Sequence, residues 1–299
     1  MIRALALCLA ALAASPIAAQ DRTTLGWGRL FVNDALGDSR DRWQTGAYAI
    51  SVIRGPDWNG RVGGGFGEVL EFRFRGSIIA PENLANPGRD DRRYAGTLSA
   101  GLHTHFALGA AEVRVGADLV VLGPQTGLGR FQRSIHDALD LPQPDLTNQI
   151  GDSLRPTLSA EIGRSFPLGD GVTAHPFVEA QAGVETLLRA GVDVTFGRFG
   201  QGALMTRDVV TGFRYAAVRG DQGQGFSAIL GADVARVFDS AYFPDAGLEP
   251  EDLRTRVRAG INWQGQRAEV FYGVTWLSEE FKGQPGGQLL GALRVNWQF

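Results

Sequence analysis

The stretch Leu253-Arg254-Thr255-Arg256-Val257-Arg258-Ala259-Gly260-Ile261-Asn262-Trp263 changes character at every residue. Successive side chains of an extended strand point to opposite sides. One face therefore carries Leu253, Thr255, Val257, Ala259, Ile261 and Trp263, and the other carries Arg254, Arg256, Arg258, Gly260 and Asn262. A helix would scatter both sets around its circumference, so the period of two predicts a strand. The same period recurs along the chain. Ala268, Val270, Tyr272, Val274 and Trp276 share a face, and so do Ala111, Val113, Val115, Ala117 and Leu119, opposite Glu112, Arg114 and Asp118. Leu70, Phe72, Phe74 and Ile78 face away from Glu71, Arg73, Arg75 and Ser77.

Alternation alone serves a soluble β-sandwich as well as a membrane barrel. Three further features choose the barrel. Residues 1–19 read as a secretory signal: Arg3 is the positive start, Leu5 to Ala14 the apolar stretch, and Ile17-Ala18-Ala19 the small-residue cleavage site before Gln20. Ser15 and Pro16 interrupt this run before it reaches the roughly 20 apolar residues of a membrane helix. Trp263, Trp276 and Trp297 sit near strand ends, where an interfacial aromatic girdle belongs. The C-terminus is itself a strand, with Leu289, Leu293, Val295, Trp297 and Phe299 set against Gln288, Arg294, Asn296 and Gln298.

The expected fold is thus all-β: a transmembrane antiparallel β-barrel of 12 strands over residues 20–299, in the outer membrane of a Gram-negative cell. The candidate strands are 25–34, 45–54, 66–79, 94–106, 111–121, 154–166, 172–184, 188–198, 225–238, 252–264, 267–281 and 287–299. With a periplasmic N-terminus, 35–44, 80–93, 122–153, 239–251 and 282–286 become extracellular, and 199–224 becomes an unusually long periplasmic connection. Forty-one glycines suit such a turn-rich, closely packed sheet.

Composition removes several function classes. A net charge of -3 without charge blocks gives no reason to expect nucleic acid. The single cysteine, Cys8, lies in the signal segment behind the large Leu7, which excludes thiol chemistry in the mature chain and disfavours lipidation. No Gly-x-Ser-x-Gly elbow, phosphate loop or EF-hand pattern occurs. His103 and His105 share one strand face, yet without a third ligand nearby they read as lumen residues, and His175 reads as structural. Inward arginines and carboxylates that pair with one another would fill the lumen rather than leave a channel.

The largest outer loop, 122–153, holds Gly129-Arg130-Phe131-Gln132-Arg133-Ser134-Ile135-His136-Asp137-Ala138-Leu139, predicted as a short amphipathic helix with Gln132 and His136 on one face. Asn33-Asp34 closes the first strand, as a polar turn pair commonly does. In chain order, Asn33-Asp34, Asp41-Arg42-Trp43-Gln44-Thr45-Gly46, Ala80-Pro81-Glu82, Asp91-Arg92-Arg93-Tyr94-Ala95-Gly96, Gly123-Pro124 with Gln132 and His136, and Asn148-Gln149 all fall at strand–loop junctions on one end of the barrel. This set resembles the outer-membrane lipid A 3′-O-deacylase family over most of the mature chain.

The resemblance implies a twelve-stranded, Ca²⁺-dependent hydrolase that removes the ester-linked 3′ acyloxyacyl chain of lipid A in the outer leaflet. It implies that His136 is the general base, that Asp34 helps to hold Ca²⁺, and that Asn33, Thr45 and Gln132 complete the site. A histidine that titrates near neutrality and a hard, oxygen-ligated cation suit that chemistry. Some relatives carry a lysine in the second outer loop and an acid shortly after the histidine. Here the only lysine is Lys282, and Pro142 stands six residues after His136. Arg89, Arg92 and Arg93 are the candidate phosphate contacts in place of that lysine, and Asp137 or Asp140 the candidate acid. Lipopolysaccharide and outer-membrane lipids are the expected partners, nucleic acid is not, and the expected state is a monomer. Two alternatives remain open from the sequence: an outer-membrane phospholipase, and a non-enzymatic channel or surface-binding barrel.

Overall fold

The computed structural model describes residues 22–220, 223–244 and 248–297. The expected signal segment, 1–19, and the terminal Phe299 lie outside the described residues. In chain order the strands are β1 (Thr23–Asn33), β2 (Trp43–Gly55), β3 (Val69–Ala80), β4 (Ala95–Leu108), β5 (Ala111–Leu122), β6 (Ser153–Gly163), β7 (Phe166–Gly169), β8 (Val172–Ala182), β9 (Glu185–Phe196), β10 (Leu204–Arg207), β11 (Arg214–Val218), β12 (Gly225–Ser240), β13 (Leu253–Gln264), β14 (Ala268–Leu277) and β15 (Gln288–Trp297). Among the described residues one α-helix, α1 (Leu128–Ala138), interrupts them.

Among the described residues the wall has twelve strands, all antiparallel to their neighbours. The order runs β6-β5-β4-β3-β2-β1-β15-β14-β13-β12-β9-β8, and pairing of β6 with β8 closes the ring. Short β7 continues β6 along β8. Closure leaves no wall strand with an open edge, the condition for crossing a bilayer without exposing backbone polar groups. The opening stretch behaves as its alternation requires. Leu253, Val257, Ile261 and Trp263 are exposed on the outside, while Arg256, Arg258 and Asn262 are buried inside. Trp27, Trp263 and Trp297 stand exposed at the periplasmic end of the outer face, and Trp276 toward the other end.

Segment 199–224 differs from expectation. It leaves β9 at the periplasmic end but folds back into the lumen as the β10–β11 hairpin. Two observations fix its place. Inward-facing Gly28 has no room for a side chain, since a Cβ there would fall 2.9 Å from Ala217 Cα, and one on Gly273 would fall 2.4 Å from Phe213. The wall charges also find their partners on the hairpin: Arg207 Nη1 donates to Asp193 Oδ2 at 2.8 Å, Thr206 Oγ1 to Glu71 Oε1 at 3.1 Å, and Arg256 Nη1 to the Val209 carbonyl at 2.7 Å. Charge contributes to that placement: the wall carboxylates are costly to bury unless paired, and the hairpin's Arg207 adds a cation to Glu161 and Asp193. Phe213 meets Phe271 edge to face at 5.0 Å within an apolar core that includes Leu30, Val32 and Leu290.

His103, His105 and His175 are buried in the lumen. His103 pairs with Asp118 at 3.1 Å, His105 with Glu71 at 2.8 Å, and His175 with Ser165 at 3.0 Å.

Candidate active site

The candidate residues gather on the outside of the extracellular rim. Trp27 and Phe31 are exposed on the outer face of β1, and Asn33 has the same parity, so it stands on that face one rung higher. Its partner across the ladder is Gly46, whose added Cβ would approach Asn33 Nδ2 to 3.0 Å. Asn33 Oδ1 accepts the Ala35 N–H at 2.8 Å and caps the short 3₁₀ turn Asp34–Leu36. A bulge in β2 between Gln44 and Gly46 gives Thr45 an extra place in the strand, where it is buried beside this pair.

Asp34 is buried, and Oδ2 accepts the Arg42 N–H at 3.1 Å. The Arg42 guanidinium goes elsewhere, to Glu82 Oε1 at 3.0 Å and over the Trp43 ring at 3.8 Å. Burial pushes the Asp34 carboxyl up to about 7; the nearby Asp41 charge adds to the rise, and the Arg42 amide opposes it. The connecting loop is strained. Ser39, Asp41 and Trp43 have φ of 58°, 50° and 51°, a left-handed region that costs non-glycine residues about 1–2 kcal/mol each. Gln288 on β15 holds the loop in that shape: its Nε2 donates to the Arg42 carbonyl at 2.6 Å and the Gln44 carbonyl at 3.1 Å, and its Oε1 accepts the Gln44 N–H. Strain so firmly braced is typical of functional loops.

Helix α1 covers the predicted stretch up to Ala138, one residue short of Leu139, and packs on the outer wall. A Cβ on Gly96 of β4 would meet Thr126 Oγ1 at 2.5 Å and Leu128 Cβ at 3.0 Å. The helix is inverted relative to a soluble surface helix: Gln132 and His136 are buried toward the barrel, whereas Phe131 and Ile135 are exposed, with Leu139 just beyond its end. His136 Nδ1 lies 2.6 Å from the Pro142 carbonyl, which only accepts, so Nδ1 carries the hydrogen and a neutral ring presents its lone pair at Nε2. Nε2 is 3.2 Å from Asp41 Oδ2 and 3.4 Å from Gln132 Nε2, and Gln132 Nε2 donates to Asp41 Oδ1 at 3.3 Å. Burial holds the Asp41 carboxyl above its ordinary range, against the pull of His136. Among the described residues Gln132 Oε1 is buried without a hydrogen-bond partner.

Two positions here escaped the sequence reading. Asp41 meets His136 across 95 residues of chain, and its only sequence trace is its place at the head of the Asp41–Gly46 stretch. The acceptor for His136 Nδ1 is a backbone carbonyl, at Pro142, while Asp137 and Asp140 are exposed. The three arginines share the lining of a separate cavity of about 180 Å³, with Tyr94, Asn148 and Phe243. Arg89 is exposed, whereas Arg92 is buried in an ion pair with Glu280 and lies over the Phe243 ring at 5.0 Å. Arg93 is half-buried.

A closed barrel with an apolar exterior, a plugged lumen and a polar cluster on its outer rim has the architecture of an outer-membrane barrel protein. The family model described as "Outer membrane protein LpxR" matches residues 4–299, and the chain belongs to that family. Among solved structures, LpxR from Salmonella typhimurium aligns with a TM-score of 0.76 at 15% identity, covering 92% of this chain and 100% of that one. The β domain of the Bordetella autotransporter BrkA aligns with a TM-score of 0.49 at 12% identity, covering 92% and 99% of the two chains. No curated protein matches by sequence.

Proposed function

We propose that this protein is a lipid A deacylase that hydrolyses the ester of the 3′ acyloxyacyl chain in the outer leaflet, with lipopolysaccharide as substrate. The observation that carries this reading is His136: an imidazole buried on the lipid side of the rim, oriented through Nδ1, with Nε2 directed at a cluster of polar side chains. In this reading Nε2 takes a proton from the attacking water, the Pro142 carbonyl keeps the ring in the required tautomer, and the Asp41 carboxylate stabilises the imidazolium that forms. Gln132 orients both partners through its amide.

The donor set bears on calcium. Among the described residues no three His, Cys, Asp or Glu side chains gather as metal ligands, which does not suit a zinc-type site. A hard cation differs, because amide, hydroxyl and water oxygens complete its shell around a single carboxylate. Asp34 fits that role. It is a buried carboxylate whose charged neighbours, Asp41 and Asp38, are acidic. Asn33 and Thr45 stand beside it as neutral oxygen donors, Asn33 at the expense of its cap on Ala35. When bound, the cation supplies positive charge that polarises the ester carbonyl. A single closed barrel, without an open strand edge in its wall, suits a monomer.

The lipid A mass from cells expressing the wild-type chain or His136→Ala, with calcium or chelator, tests the proposal. Loss of one 3′ acyloxyacyl group only with wild type and calcium is the expected result. An unchanged mass with the barrel folded in the membrane overturns it. Fatty acid released from glycerophospholipid instead would assign the same rim to a phospholipase. The plugged lumen counts against the channel reading.

A further inference from the structure

The outer wall below the candidate site is not evenly covered. The register aligns outward-facing residues in rungs, each about 7 Å below the last. The rim rung reads Asn33, Gly46, Ile78, Gly96 across β1 to β4. Below it come Phe31, Tyr48, Gly76, Leu98 and Val121, and below those Arg29, Ile50, Phe74, Ala100 and Leu119. Large side chains dominate both lower rungs, but Gly76 interrupts the upper one on β3 and Ala100 the lower one on β4. The two small residues are diagonal neighbours. They leave an open, almost wholly apolar groove of about 470 Å³ between Tyr48 and Phe74 on one side and Leu98 and Leu119 on the other. That volume falls within the roughly 300–1,000 Å³ of small-molecule sites.

We infer that this groove on the lipid-facing wall of β2–β5 is the binding site for an acyl chain of the substrate whose ester is cleaved at the rim. The inference rests on the proposed function and names where its substrate's tail lies. Three features commit it to that occupant. The groove begins one rung below Asn33 and Gly46, so a chain leaving an ester at the rim enters it directly. Its lining offers an alkyl chain contact and a headgroup no partner. Its position in the outer-leaflet half of the wall excludes water and peptide. Bulk phospholipid tails are the competitor, and the experiment separates them from the substrate.

Full-length His136→Ala protein in phosphatidylethanolamine/phosphatidylglycerol vesicles is photolabelled with lipid A carrying a diazirine in its acyl chain, or with a diazirine phosphatidylethanolamine, and the adducts are mapped by mass spectrometry. The lipid A probe is expected to concentrate on the Gly76, Leu98 and Ala100 strands over the opposite wall at Val234 and Val257, and the phospholipid probe to label both walls alike. Equal labelling of the two walls by the lipid A probe overturns the inference, whether or not the protein turns lipid A over. In the active protein, the Gly76→Leu/Ala100→Leu pair is designed to fill the groove; both positions face the outside of the wall, and a Cβ on Gly76 would lie in ordinary contact with Leu98 at 3.4 Å. Its kcat/KM for long-chain lipid A is expected to fall about tenfold or more, with selectivity shifting toward short-chain analogues. A Val234→Phe control on the far wall is expected to behave as wild type. An equal fall for all chain lengths counts against a chain-binding groove, whereas a wild-type protein inert toward lipid A overturns the proposed function instead.

Discussion

At the residue scale the proposed mechanism turns on Asp34 and His136, both buried at the same rim. Asp34 has a folded-state pKa of about 7, above its unfolded value of 3.8. Its protonated form therefore contributes stability that is fully present below pH 3.8 and is lost as pH rises through about 7. A cation held by Asp34, as proposed, would compete with that proton. Calcium is thus expected to raise the thermal unfolding temperature more at pH 8 than at pH 5, and Asp34→Asn to abolish the difference, as heat-modifiability on gels would show. An equal calcium effect at both pH values would remove Asp34 from the cation's shell. His136→Ala is expected to lower lipid A turnover by at least about 100-fold, the usual contribution of a general base, while leaving the barrel's unfolding temperature close to wild type.

At the scale of elements, α1 and the 34–42 loop bring the site together from opposite sides. The helix rests on a glycine platform, and Gly96→Val would drive a side chain into Thr126 and Leu128. The expected outcome is loss of turnover in a barrel that still migrates as folded on unheated gels, because the collision is confined to the rim. The exposed stripe Phe131, Ile135 and Leu139 points away from the wall. Burying such a stripe in the headgroup boundary is favourable in a membrane and absent in detergent monomers. Phe131→Asp/Ile135→Asp should therefore depress turnover of lipid A in vesicles more than turnover of detergent-dispersed lipid A; equal effects would place the stripe outside the lipid.

For the whole molecule, the wall is held from within by charge. Asp233 accepts Arg256 Nε at 2.9 Å and Arg189 Nη1 at 3.2 Å, and also pairs with the fully buried Arg258. Removing one partner from such a set strands uncompensated charge, so Asp233→Ala should destabilise the barrel by about 3–5 kcal/mol, measured as a lower midpoint in urea. Deleting the β10–β11 hairpin should open the lumen and produce steady conductance in planar bilayers, whereas the intact, plugged chain is expected to stay silent. A silent deletion mutant would mean that the wall collapses into the space.

The wall was legible in the sequence because a strand between lipid and a polar interior must alternate, and the period of two appears in each strand on its own. The Gln132–His136 face was legible for the same reason, since helical spacing is local. Neither the plug nor the meeting of His136 with Asp41 and Pro142 left such a trace. Segment 199–224 mixes polar and apolar residues without a period, since in the lumen it meets charged and apolar wall in turn. The meeting of Asp41 and the Pro142 carbonyl with His136, and the groove formed by Gly76 and Ala100, depend on strand register and loop path. Asp41 and His136, like Gly76 and Ala100, are far apart in the chain and only the closed barrel brings them together, whereas Pro142 reaches His136 through the path of the turn that ends α1.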